Sequence, residues 1–283
     1  MATNTMSISC PVTDVTSTDR VMLAHGEGGR LARQLLQRRI MPALDNEFLR
    51  IAGDSAVLPK LRGSIAMTTD SFVVSPLFFP GGDIGSLAVY GTVNDLAVAG
   101  AQPLWISLAL ILEEGLDMAV LERVLVSVAE SAKSAGVLVV AGDTKVVPRG
   151  AADQIFINTT GVGEFVATPP AGPRAIEVGD ELIVTGPIAR HGIAVMAARE
   201  GLAFDPPPRS DSAPLVDAVV AIQQAAIPFR ALRDATRGGV GAVLHEWAEA
   251  SGTTLIIEER LVPVTPDVRG ACELLGLDPI HVA

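Results

Sequence analysis

Apolar residues recur at helical spacing in residues 30–44, where Leu31, Leu35, Leu36 and Ile40 are separated by Arg and Gln, and this period predicts an amphipathic helix. A strand-like run follows over 64–74. Residues 83–101 read as a helix whose small apolar side carries Ile84, Leu87, Ala88 and Gly91. The pattern then predicts a strand over 104–112, a long amphipathic helix over 116–135, and strands over 137–141 and 155–163. Strands alternating with helices give an α/β domain built in layers. The composition changes at "VATPPAGPRAIEVGDE", whose prolines and Gly-Asp turn mark a linker. Beyond it the pattern restarts, with a strand over 182–185, a helix over 192–200, a Pro/Ser-rich loop over 205–214 and a helix over 215–226. A helix opening at Gly238-Gly239 and a strand over 254–258 follow. The expected organisation is a flexible tail over 1–20, a first domain over 21–168, a linker over 169–180 and a second domain over 181–283. The chain ends at Ala283 straight after the turn-like "GLDPIHVA", so the second domain is expected to be incomplete.

With 283 residues the chain is long enough for two ordinary domains. A hydrophobic share of 49% with 27 glycines and 19 prolines fits a compact, loop-punctuated protein. The net charge of −11 repels nucleic acid and anionic membranes, and no run of Lys or Arg forms a phosphate-backbone stripe. The longest plainly apolar stretch, Pro103 to Leu112, is too short to cross a bilayer, and the first residues lack the basic-then-apolar order of a signal peptide. These features predict a cytoplasmic enzyme. The two cysteines, Cys10 and Cys272, are far apart and form no CxxC pair, so neither a zinc site nor a disulfide framework is indicated. Cys272 falls on a helical apolar face and is expected to be buried and inert.

Four aspartates stand where an apolar run should continue or has just ended: Asp54 in "GDSAVL", Asp70 in "IAMTTD", Asp95 in "GTVNDLAVAG" and Asp143 in "VLVVAGDTK". An ionised carboxylate beside buried surface is costly unless paired, solvated or metal-bound. Hard oxygen donors on otherwise apolar elements suit a magnesium–triphosphate site. Asp95 lies at i, i+4, i+7/8 spacing from Leu87 and Gly91, and Asp143 follows a buried-looking strand at the carboxyl end where α/β sheets place ligands. Each aspartate alone reads equally as a cap or a turn; the set of four points to a metal–nucleotide site. Lys145 suits a phosphate oxygen as a point charge, or is a surface lysine. The turn "HGEGGR" (His25 to Arg30) and the turn "DATRGG" (Asp234 to Gly239) each open a helix, where free backbone N–H groups grip phosphate or simply cap. In the second turn Thr236 and the glycine amides are the phosphate-facing groups and Arg237 the counter-charge. His191, also at a helix start, reads as structural. The loop Ser75 to Gly82 exposes Phe78-Phe79 as a lid, a subunit contact or core cover.

Taken together, "LAHGEGGR", "TTDSFVVSPLFFPGGDIG", "GTVNDLAVAGAQPLW", "AGDTKVV", "LRDATRGGV" and "VRGACELLGLDP" resemble the HypE family of hydrogenase maturation proteins, from about Val21 to the last residue. That family is part of an ATP-binding group with aminoimidazole ribonucleotide synthetase (PurM) and selenophosphate synthetase. The resemblance implies two α/β (α+β layered) PurM-like domains, the first dimerising through its β-sheet and holding ATP with Mg2+. It implies metal and phosphate roles for Asp54, Asp70, Asp95 and Asp143, and catalytic roles for Asp95 and Lys145. It implies nucleotide contacts from His25, Gly26, Gly28, Gly29, Asn94, Asp143, Thr144, Thr236, Arg237, Gly238 and Gly239. The activity implied is an ATP-dependent carbamoyl dehydratase. HypF places a carbamoyl group on the family's own C-terminal cysteine, the carboxamide oxygen is phosphorylated, and loss of phosphate leaves a thiocyanate. The cyanide then passes to iron on the HypC–HypD complex for the nickel–iron hydrogenase. Physical chemistry agrees, because an amide oxygen leaves poorly until it is phosphorylated, and a base must take the N–H proton.

Three departures stand out. No Pro-Arg-Ile-Cys tail is present, a segment with a glutamate expected after "DPIHVA" is absent, and Ala235 replaces the proline of the family's "DPTRGG" turn. Another ATP-dependent synthetase of the group and a non-catalytic docking paralogue therefore stand as alternatives. Against a selenophosphate synthetase, "LAHGEGGR" carries no cysteine.

Overall fold

The structure, a computed structural model, describes residues 19–283. Cys10 and most of the expected N-terminal tail lie outside the described residues. The helix expected over 30–44 is one helical path in three pieces, α1 (Arg30–Leu35), a π-helical turn (Leu36–Ile40) and α2 (Met41–Leu44), followed by the short α3 (Glu47–Arg50). A four-stranded sheet follows, made of β1 (Ile65–Phe72), β4 (Gln102–Glu113), β5 (Leu138–Val147) and β6 (Ile155–Glu164) in the order β1-β6-β4-β5. The hairpin β2 (Phe78–Phe79) and β3 (Gly82–Asp83) stands apart and leads into α4 (Ile84–Val98). Only β4 and β5 run parallel, joined by α5 (Met118–Ser134); β1 pairs β6 and β6 pairs β4 antiparallel.

Alternation fixes which face of the sheet is covered. Leu108, Leu110 and Leu112 of β4 with Ile155 and Ile157 of β6 meet Val89 and Val93 of α4 and Leu121, Val124, Leu125 and Val128 of α5 in one core. Among the described residues no helix covers the opposite face of β1, where Ile65 and Met67 are 65% and 71% exposed. The start of α4 is locked by a capping box, in which Asp83 Oδ1 accepts from Gly85 N at 2.8 Å and Ser86 N at 3.1 Å while Ser86 Oγ accepts from Asp83 N at 3.1 Å. Phe79 is buried, and Phe78 packs on the core under the Arg123 guanidinium, 3.6 Å from its ring centre. Of the three roles open to this pair, core cover is the one the fold uses.

Two expectations are corrected. Asp143 does not follow its strand, because the parallel ladder with β4 continues to Glu113↔Val147 and places Asp143 and Lys145 inside β5. In the second half, α6 (Arg190–Arg199), α7 (Val216–Gln224), α8 (Gly239–Ser251) and α9 (Pro266–Leu275) form as helices, but the strands expected over 182–185 and 254–258 do not. An extended segment becomes a strand only when a neighbour takes its backbone hydrogen bonds, and here Ile183 and Ile256 stand 84% and 85% exposed. Helices α6 and α9, with Val240 of α8, pack around Ile188, Ile193, Val268, Ala271 and Cys272, whereas α7 lies against the first core through Val216. Burial of Cys272 raises its thiol pKa, consistent with an inert role.

Helices α4 and α5 meet at Gly85, where an added Cβ would lie 2.7 Å from the Val124 carbonyl oxygen. Gly85→Ala is expected to lower stability by about 1–3 kcal/mol in chemical denaturation, since backbone on both sides must give way.

Candidate functional site

On β1, Thr68 and Asp70 lie two residues apart on the face that meets α4. Thr68 Oγ1 donates to Asp95 Oδ2 at 2.8 Å, and Asp70, when protonated, can donate a hydrogen bond to the Asp95 carboxylate. Burial raises the Asp70 pKa, the Asp95 charge and that hydrogen bond raise it further, and Arg237 opposes the shift. The "DATRGG" turn of the second half therefore reaches the Asp70–Asp95 pair. Asp234, at the head of the turn, is pushed up to about 6, first by burial, then by the Asp95 charge, with Asp70 a smaller contributor. Gly238 and Gly239 take φ of +77° and +61°, and Gly239 N donates to Thr236 O at 2.9 Å. Thr236 and Arg237 remain exposed at the start of α8.

The N-terminal glycine turn lies against β5. An added Cβ at Gly26 would fall 2.6 Å from Val146 N, so only glycine allows that approach. Gly28 and Gly29 are exposed, with Gly29 capping α1. On β5, Lys145 Nζ lies 3.1 Å from Asp143 Oδ2, and Asp143 Oδ1 accepts from Thr144 N at 2.9 Å. Both charged side chains are exposed.

The four aspartates are thus not gathered around one point. Asp70 and Asp95 meet because α4 crosses β1, whereas Asp143 sits on the opposite edge strand of the sheet. Asp54 lies exposed in the stretch between α3 and β1. Among the described residues no three His, Cys, Asp or Glu side chains are placed to hold one metal ion. Two expected nucleotide contacts are also used differently. His25 is buried, its Nδ1 accepts from Met22 N at 2.9 Å, and burial lowers its pKa, so the neutral ring braces its own turn. Asn94 donates through Nδ2 to Ala213 O at 3.0 Å and accepts at Oδ1 from Leu215 N at 2.8 Å, so both ends of its amide are engaged. His191 is structural, with Nδ1 3.0 Å from Ser210 Oγ and its ring edge-on to Phe79 at 5.3 Å. The residue that sequence reasoning missed is Asp234. Its signal was a second carboxylate-bearing glycine turn, read only for its amides and its arginine.

The family models for AIR synthase related protein match the N-terminal domain over residues 52–165 and the C-terminal domain over 177–283. The carbamoyl dehydratase HypE of Cupriavidus necator is 48% identical over 266 residues, covering 93% of this chain and 76% of the relative. The chain belongs to the HypE family. HypE of Escherichia coli K12 is 46% identical and covers 94% of this chain and 80% of its own length. A crystal structure of HypE in complex with ATP superposes with a TM-score of 0.89 at 46% identity, over 93% of this chain and 78% of that one. HypE in a HypE–HypF complex gives 0.76 at 46% identity, over 90% and 81%. Thiamine monophosphate kinase of Aquifex aeolicus, at 22% identity and a TM-score of 0.59, shares the fold. The two AIR synthase-like domains expected of the HypE family are therefore present, as a mixture of helix and sheet.

Asp234 yields a pH test. Its folded-state pKa of about 6 exceeds the unfolded value near 3.8, so the folded form holds the extra proton and stability falls as pH rises across that window. Asp234→Asn has no such loss. Its melting temperature relative to wild type should climb from pH 3.8 to about 6 and level off above, whereas a difference independent of pH would contradict the assignment.

Proposed function

We propose that this chain is an ATP-dependent carbamoyl dehydratase of hydrogenase maturation, converting an S-carboxamide on a cysteine into a thiocyanate that supplies cyanide to hydrogenase iron. The observation that carries this reading is the likeness to the HypE–ATP complex, with a TM-score of 0.89 at 46% identity. The 48% identity to a carbamoyl dehydratase, against 22% to thiamine monophosphate kinase, favours dehydration over another ATP-dependent reaction and over a docking role.

The chemistry is a phosphoryl transfer followed by an elimination. The carboxamide oxygen attacks the γ-phosphorus of ATP, and ADP leaves. The nitrogen then loses its protons to a base while the C–O bond breaks, releasing inorganic phosphate and leaving S–C≡N. Thr236, Arg237 and the amide of Gly238 suit the phosphates at the start of α8, a 13-residue helix whose dipole favours an anion, while the Gly239 amide holds the turn through Thr236 O. The exposed Gly28 and Gly29 amides suit the nucleotide from the side of β5. Lys145 serves as a point charge for a phosphate oxygen, with Asp143, itself tied to Thr144 N, as its ion-pair partner.

Magnesium fits the Asp70–Asp95 pair. This ion is held through one or two carboxylates plus substrate phosphates and water rather than by an all-protein cage, which matches a site with two facing carboxylates. When bound it neutralises charge on the phosphates.

HypF is proposed as the partner that delivers the carbamoyl group, and HypC–HypD as the acceptor of cyanide; the likeness to HypE in the HypE–HypF complex supports the first. Among the described residues no helix is long and apolar enough to cross a membrane. The uncovered sheet face, with Ile65 and Met67 exposed, is assigned to a second copy of the chain in a homodimer. The domain division is proposed to lie in the linker at 169–180.

Asp95→Asn should cut carbamoyl-dependent phosphate release by on the order of 100-fold, as expected for loss of a group that stabilises transferring charge, and undiminished turnover would refute the metal assignment. Met67→Glu should convert a dimer to a monomer in sedimentation equilibrium, and an unchanged mass would assign the exposed face elsewhere.

A further inference from the structure

Asn94 is 9% exposed, and its side chain makes two hydrogen bonds across 119 and 121 residues of chain, donating to Ala213 O at 3.0 Å and accepting from Leu215 N at 2.8 Å. Each end of the amide is thereby tied to the backbone of the second half. Its neighbour Asp95 points the other way, to Thr68 and Asp70. Consecutive residues on a helix project about 100° apart, so one turn of α4 touches the carboxylate pair on one side and the entry to α7 on the other. The Ala213–Leu215 segment belongs to the half of the chain that carries Asp234 and Arg237. That half also touches the hairpin, where Ser210 N donates to Pro80 O at 2.8 Å.

We infer that Asn94 is a positioning residue for the proposed reaction, a bidentate strut that sets the spacing between Asp95 and the Asp234–Arg237 turn without contacting the nucleotide. The inference rests on the dehydratase reading and adds to it a coupling between the two halves. Phosphoryl transfer needs metal carboxylates and phosphate-binding groups in one fixed geometry, and small displacements cost rate more than affinity. The backbone partners matter as much as the asparagine. The Leu215 N–H can be removed without touching Asn94, because proline at 215 lacks that donor.

The test compares wild type, Asn94→Ala and Leu215→Pro in carbamoyl-dependent phosphate release, alongside calorimetric affinity for a non-hydrolysable ATP analogue. Circular dichroism melts check that each variant is folded. A strut predicts that both variants keep the analogue affinity within about twofold while kcat drops at least tenfold, since each removes the Leu215 N–H to Asn94 Oδ1 bond, one from either end. If Asn94→Ala weakens the analogue tenfold, or Leu215→Pro retains wild-type kcat, the strut is overturned. A wild-type protein that releases no carbamoyl-dependent phosphate sinks the dehydratase reading instead, which keeps the two failures apart.

Discussion

Almost everything in this molecule is referred to helix α4, which is buried on nearly every side. Ile84, Ala88, Val89, Val93, Leu96 and Ala97 are all buried, and a helix apolar all round needs neighbours all round. Its start is fixed by the Asp83 capping box, and its flank is tied to β6, where Thr159 Oγ1 donates to Ala88 O at 3.1 Å and lies 2.5 Å from Thr92 Oγ1. Such a helix cannot rotate or slide without breaking buried polar contacts, each costly to leave unpaired. It is therefore a rigid wall on which Asp95 and Asn94 are displayed in fixed directions.

That rigidity explains the electrostatics. Carboxylates on flexible loops would separate, yet Asp70 and Asp95 stand on a strand and a helix that cannot, and the raised pKa of Asp70 follows from the enforced proximity and burial. Asp234 arrives from the second half under the same constraint and is raised to about 6. Arg237 pulls Asp70 the other way, so the pair and the turn form one charged unit spanning both halves of the chain. Such an arrangement is unfavourable without a ligand and receptive to a cation carrying phosphates.

Much of the first half was legible in the sequence. Helix α5 and the strands β1, β4 and β6 follow their apolar periods closely, because each buries one face, and α4 is legible as one long run that is apolar nearly all round. The expected strands at 182–185 and 254–258 failed because periodicity reports burial preference, not the presence of a hydrogen-bonding neighbour. The same limit misplaced Asp143. An apolar run that stops at Ala141 says nothing of a ladder that β4 extends to Val147. His25 and Asn94 were chosen by their place in motifs, and only their partners revealed that one braces a turn and the other bridges two halves.

The sequence by itself determined the alternation of elements in the first half, the two glycine turns, the aspartates as a chemical class and the kinship with HypE. Those properties are written in spacing and residue type, which local physics reads directly. Tertiary structure alone decided which carboxylates meet. Asp70 faces Asp95 across 25 residues of chain and Asp234 joins them from much farther along, while Asp143 is carried to the other edge by the strand order β1-β6-β4-β5. Proximity between distant residues is set by how layers stack and strands are ordered, and no local pattern along a chain encodes that order.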